Sequence, residues 1–318
     1  MEAASEREEL TLVARKPGFG LPTACPSCLP VYIYLKFAGV PFRLDFNLAN
    51  PDSDQIPYVE SGTYVAYNNE KGGVIESLKD DDVLDLDSEL RSAPDFMSMR
   101  AMIGSWLEDA LSYELWLGSD GSPAHKIYYT DLPWPLGKVL YLKQIQTVKQ
   151  RLGITKENTE RREAEIYRKA TIAYGALSTR LGEEDFFFNR PSSLDAAFIG
   201  HALIVLQALP ETSTLRNKLL QHDNLVQYAE KHKAQFVEAS SSSSSASQFP
   251  SIPKRGSKPK SETKKERTPQ EKTFRKRAKY FLIAQFVAVL LFLSIMGGAS
   301  DDAEVEIDDD DEGFSYDE

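Results

Sequence analysis

The chain has 318 residues, of which 42% are apolar, and a net charge of −11. That apolar content suffices for a core and excludes a wholly disordered chain, while two cysteines, Cys25 and Cys28, exclude a disulfide framework. The charge is sorted into blocks: about −9 before residue 254, twelve Lys/Arg against three Glu over 254–279, and eleven Asp/Glu with no base after Ala299. Such sorting reflects interaction surfaces or membrane topology rather than fold.

The opening residues, Met1 to Glu9, are acidic and lack the basic and apolar regions of a secretory signal. They also lack the acid-poor amphipathic pattern of a mitochondrial presequence, so the N-terminus is expected to stay in the cytosol. Leu10 to Ala14 is a short β-prone run. Leu29 to Ala38 is almost wholly apolar and closed by Gly39 and Pro41, a helix stop. Phe42, Leu44, Phe46 and Leu48 alternate with polar residues, as in a half-buried strand. Tyr58 to Tyr67 reads as strand with an interruption at Gly62, and Asn68 to Gly73 is turn material. A helix is then expected to start near Glu76-Ser77. The order β-α-β then β-β-α predicts a small mixed sheet, entered in its second half at Ile56-Pro57.

From Pro94 onward the pattern is helical. Helices are predicted over Asp95–Gly118, Leu136–Leu152, Glu157–Leu181, Ser193–Leu209 and Thr214–Phe236. Ser192-Ser193-Leu194-Asp195 is a capping box in its acidic form, and it opens the most apolar helix, which should be central. His201 lies inside that helix and reads as a hydrogen-bonded core histidine. The acidic clusters Asp80-Asp81-Asp82 and Glu183-Glu184-Asp185 sit at element ends and read as solvated.

Beyond Ala239 a serine tract and four prolines among lysines cannot bury enough apolar surface to fold. The basic stretch within it reads as a solvated tether, as an adhesive for anionic lipid, or as a nuclear or nucleic-acid signal; the neighbouring apolar segment speaks against the last. That segment, Tyr280 to Gly298, carries no charge. At 1.5 Å per residue it spans roughly 28 Å, and its Leu, Ile, Phe and Val supply roughly 3–6 kcal/mol of insertion free energy. It is expected to be a single C-terminal transmembrane helix, inserted after translation as a tail anchor. The lysines and arginines just before it should keep the preceding domain cytosolic, with the acidic tail across the membrane. The expected organisation is therefore 1–92 mixed α/β, 93–238 all-helical, 239–279 disordered basic linker, 280–298 anchor and 299–318 acidic tail.

Leu35 to Phe42, Ile56 to Gly62, Phe186 to Ala197, His201-Ala202-Leu203 and Asn224 to Tyr228 together resemble the metaxins, within the glutathione-transferase superfamily. The resemblance spans roughly residues 10 to 236. It implies a thioredoxin-like N-terminal half and an all-α glutathione-transferase-like C-terminal half. It also implies a mitochondrial outer-membrane protein, with its tail in the intermembrane space, that serves import and β-barrel sorting and assembly. Precursor proteins and partner subunits of a hetero-oligomeric complex would be its partners, beside the bilayer, with no nucleic acid, no cofactor and no metal. Acidic faces would suit basic import signals.

A competing expectation is a membrane-tethered glutathione-dependent transferase or thiol oxidoreductase. Cys25-Pro26-Ser27-Cys28 is a C-x-x-C at a helix start, where the dipole favours thiolate, so Cys25 would attack and Cys28 resolve. By resemblance, Pro57 matches the cis-proline that binds the glutathione backbone, and Glu76 and Ser77 match the positions holding its γ-glutamyl end. Against this, about ten residues separate the first strand from Cys25, so the thiol need not face a pocket. A structural pair, or zinc shared with a partner's cysteines, are the other readings. Phosphate-loop, dinucleotide, metalloprotease and nucleophile-elbow motifs are absent.

Overall fold

The computed structural model describes residues 10–47, 54–70, 72–119, 121–130, 132–238 and Gln285. The chain divides into two units, 1–249 and 250–318. The basic linker, the apolar segment apart from Gln285, and the acidic tail lie outside the described residues. Among the described residues no helix is long and apolar enough to cross a membrane.

The sheet order is β2 (Phe42–Phe46), β1 (Leu10–Ala14), β3 (Tyr58–Ser61), β4 (Tyr64–Tyr67), and β1, interior to it, is apolar and buried except at Thr11. Helix α1 (Cys28–Phe37) leads to β2 (Phe42–Phe46), which pairs parallel to β1 as an edge strand. Phe42, Leu44 and Phe46 are half-buried there, and Arg43 and Asp45 face solvent. The Ile56–Pro57 peptide is cis and delivers β3 (Tyr58–Ser61), antiparallel to β1. A two-residue turn starting at Gly62, with φ +58°, returns the chain as β4 (Tyr64–Tyr67). Helix α2 spans Gly73–Asp80 and is entered through Gly72 in the left-handed region. The helix thus begins about one turn before the expected start near Glu76-Ser77: paired glycines make the bend, and Val74 and Leu78 turn inward directly after it.

The helical half opens with a continuous run from Pro94 to Gly118. It comprises α3 (Pro94–Ala101), a π-helical stretch Met102–Leu107, α4 (Glu108–Tyr113) and a second π-helical stretch Glu114–Gly118. A short α5 (Ser122–Tyr128), absent from the sequence reading, precedes α6 (Trp134–Leu152) and α7 (Thr159–Leu181). Helix α8 (Ser193–Ala208) is buried everywhere except Ala197 and Gln207, as its predominantly apolar sequence predicts. Its cap forms as expected: Asp195 N–H donates to Ser192 Oγ, and the Asp195 carboxylate accepts from Phe187 N and Tyr228 Oη.

The predicted Thr214–Phe236 helix is broken into α9 (Thr214–Leu219) and α10 (Asp223–Lys233), followed by a π-helical Ala234–Glu238. Tertiary bonds decide the break. Asn224 Nδ2 donates to the Ser178 and Gly182 carbonyls at the end of α7, and the buried Glu114 accepts Leu215 N at the start of α9. The two halves meet where α1 lies against α8. A Cβ at Gly200 would sit 2.8 Å from Pro30 Cγ, so only glycine permits that approach. His201 is buried with Nε2 2.7 Å from Tyr174 Oη, and burial lowers its pKa to about 3.

Candidate functional site

β1 ends at Ala14, and the next residue, Arg15, is buried beneath the loop that follows. Gly18 and Leu21 bridge each other and Ala24 N donates to Lys16 O, so the expected insertion is a folded knot that returns the chain to α1. Cys25 N donates to Thr23 Oγ1 at 3.4 Å, and the Cys25 carbonyl accepts Cys28 N and Leu29 N. The first turn therefore begins at Cys25 and places both thiols on the inner face of α1. Cys25 is 1% exposed and Cys28 is fully buried; both are free thiols.

Helix α5 closes the site from the helical half. Tyr128 Oη lies 4.0 Å from Cys25 Sγ, Trp116 stacks on the Tyr128 ring at 5.3 Å, and the Arg15 guanidinium sits 4.8 Å from its centroid. Burial alone would raise the Cys25 pKa. The hydrogen bond with Cys28, the Arg15 charge, and the backbone N–H groups of Cys28 and Ser27 outweigh it and hold the pKa at about 6. Burial and its neighbour Cys25 push Cys28 far above the thiol range. Tyr128 is pushed up by burial and by Cys25, so it stays neutral. The charge distribution suits an attacking thiolate at Cys25 and a resolving thiol at Cys28. The geometry does not: a thiolate sealed under a phenol and a stacked indole has no line of approach for a substrate.

The other residues matched to a glutathione site are placed as follows. Pro57 is buried at the sheet end; Val13 pairs with Tyr58, which puts Pro57 alongside Ala14 and one residue from Arg15. Ser77 Oγ donates to Glu70 Oε2 at 3.1 Å and to the Gly73 carbonyl at 3.2 Å. Glu76 forms ion pairs with Lys79 and with Arg100. A carboxylate bracketed by two cations is a poor receptor for a ligand's ammonium group, because that ammonium would have to displace them.

Sequence reasoning missed Arg15, Lys79, Asp87 and Tyr128. Lys79 is 2% exposed and reaches the wholly buried Asp87 at 2.8 Å. Asp87 also accepts Ser193 N at 2.8 Å and the Ser193 hydroxyl, which fixes α2 to the first turn of α8. Burial raises the Asp87 pKa, but the bonds from Lys79 and Ser193 bring it below the carboxylate range. A charge directly after an apolar strand marked Arg15; nothing in the sequence pairs positions 79, 87 and 193. Of the solvated clusters, Asp81 accepts Tyr64 Oη at 2.9 Å and Asp185 pairs with Lys231 at 2.6 Å, both at the surface.

Residues 26–121 match the glutathione S-transferase N-terminal domain family, and residues 170–232 match the glutathione S-transferase C-terminal domain family. Across 316 residues, 98% of this chain and the whole of the relative, the sequence is 59% identical to the mitochondrial outer membrane import complex protein metaxin of Arabidopsis thaliana. The chain belongs to the metaxin family. Metaxin-1 of Mus musculus is 29% identical over 227 residues, which cover 66% of this chain and 70% of its own. A solved glutathione transferase of Phanerochaete chrysosporium covers 73% of this chain and 98% of its own, with 14% identity and a TM-score of 0.48. Metaxin membership and the glutathione-transferase-like fold agree with the resemblance read from Phe186 to Ala197 and the other motifs.

Proposed function

We propose that this protein is a non-enzymatic subunit of the mitochondrial outer-membrane import apparatus, which binds precursor proteins and partner subunits and contributes to β-barrel sorting and assembly. The likeness to the plant relative runs over nearly the whole chain, linker and apolar segment included. In this reading residues 1–92 and 93–238 form the working domain, 239–279 a basic tether, 280–298 the membrane anchor and 299–318 an acidic tail in the intermembrane space. The domain stands on the cytosolic side.

The observation that carries the non-enzymatic assignment is the closure of Cys25 beneath Tyr128, Trp116 and Arg15. The engagement of Glu76 by Lys79 and Arg100 removes the second requirement of a glutathione site. The test is replacement of the endogenous protein by a Cys25→Ser/Cys28→Ser variant. Import and assembly of β-barrel precursors should be unchanged, and a gentle-detergent pull-down should recover the same partners. Loss of import by a folded double variant would overturn the assignment. One observation favours the thiol-enzyme reading, namely the thiolate held at Cys25. That reading predicts turnover of an electrophile or mixed disulfide by the full chain with glutathione, abolished by Cys25→Ser.

A further inference from the structure

We propose that the outward face of α6 docks on an anionic lipid surface, with Leu136 and Leu142 entering the headgroup layer and Lys138 and Lys143 beside them. Helix α6 packs inward through Tyr141, which lies 5.9 Å from Trp116, and through the buried Val148 and Leu152. Its other side is left uncovered: Leu136 is 49% exposed and Leu142 is 52% exposed. At about 100° per residue, Leu136, Val139, Leu142 and Lys143 fall within an arc of about 120°, with Lys138 at its margin.

The charge on this side of the molecule identifies the occupant. Helices α5 and α6 carry Lys126, Lys138, Lys143, Lys149 and Arg151 and not one acidic residue. The chain before the basic linker carries about −9 with these five charges included, so the remainder of that stretch is at about −14. Arg151 is held by Glu108 at 3.4 Å and Asp109 at 3.9 Å, whereas no ion pair among the described residues engages Lys138, Lys143 or Lys149. A second copy of the same face, or a basic precursor segment, would be repelled. An anionic bilayer attracts this face and repels the acidic remainder, which fixes one orientation. Apolar tips flanked by lysines whose stems can lie along the acyl boundary are the composition of an interfacial helix. The choice of lipid rests on the membrane-anchored reading above; the exposed basic and apolar face does not.

The test places a spin label on the full chain by Leu142→Cys in a Cys25→Ser/Cys28→Ser background, with a control label at Met97→Cys. Met97 is 51% exposed on α3. If the serine background does not fold, the native one serves, since both thiols are buried. The chain is reconstituted in vesicles of phosphatidylcholine alone and of phosphatidylcholine with phosphatidylserine. The expected result is a several-fold rise in the ratio of oxygen to nickel-chelate accessibility at position 142 with the anionic lipid only. That rise should be reversed by Lys138→Glu/Lys143→Glu and by high salt, and position 97 should stay aqueous. A water-exposed label at 142 in both vesicles would overturn the proposal, as would equal burial in both or spin–spin broadening that grows with protein density. Failure of the chain to float with neutral vesicles would break the anchor reading alone, and docking would still be read on the anionic ones.

Discussion

Replacing Asp87 by alanine tests the contact that joins the two halves. Asp87 is wholly buried and accepts from Lys79 Nζ, the Ser193 amide and the Ser193 hydroxyl. Asp87→Ala leaves Lys79 inside the protein with Glu76 as its remaining carboxylate, and leaves the Ser193 N–H at the start of α8 without its acceptor. Removing one member of a buried pair costs about 3–5 kcal/mol, and the orphaned amide falls within that range rather than adding to it. At about 2–4 °C per kcal/mol for a domain of this size, the midpoint should drop by about 10 °C. The assay is urea and thermal unfolding of the full chain in mild detergent, followed by fluorescence of Trp106, Trp116 and Trp134. Lys79→Met/Asp87→Leu, which removes both charges, should recover most of the loss. The pH dependence has a definite sign. The Asp87 pKa is depressed in the folded protein, so its stabilisation is present above the unfolded value near 4 and lost as pH falls through the lower folded value. A cost under about 1 kcal/mol, typical of an exposed pair, would refute the clamp.

His201 should make stability fall with acid over a different window. Burial lowers its pKa to about 3, so its contribution is complete above the unfolded value of about 6.5 and declines below it. Between pH 6.5 and 5 that amounts to about 2 kcal/mol, and His201→Gln should remove this slope from the urea midpoints. Cys25 should alkylate more slowly in the native chain at pH 7 than in urea despite its pKa of about 6, because it is 1% exposed; rapid native labelling counted by mass spectrometry would show that the seal is absent. Gly121→Ala would place a Cβ 1.7 Å from Tyr141 Oη at a backbone φ of +72°. It should cost about 1–3 kcal/mol, partly recovered by Tyr141→Phe, and should raise native Cys25 alkylation by loosening α5.

Local chemistry made much of this molecule legible. The β-prone run of β1, the alternation in β2 and the Ser192–Asp195 cap each specify their element through adjacent residues, and all three appear where expected as far as Phe46, Leu48 lying outside the described residues. Helix α5 was not legible because seven residues beginning Ser122-Pro123 give too few turns for a periodic signal. The α9–α10 break was hidden for another reason: it is imposed by Asn224 and Glu114 bonding to distant segments. The cysteine motif was readable, as was the inserted loop before it. Its closure was not, since Tyr128 arrives from 103 residues away. Likewise the positions of Glu76 and Ser77 gave no notice of Arg100 or Glu70.

The two departures from a working transferase site come from elements with further duties. Lys79 engages Glu76 on one side and Asp87 on the other, so the same ammonium that occupies the carboxylate matched to a glutathione site also fastens α2 to α8. Opening the γ-glutamyl position would loosen the junction of the two halves. Helix α5 covers Cys25 through Tyr128 and at the same time rests on α6, with Tyr129 Oη 3.5 Å from the Leu140 carbonyl and His125 against Tyr141. Exposing the thiol therefore means shifting the support of the basic face. In this architecture access to the thiols and integrity of the α6 surface compete, since both depend on the placement of α5.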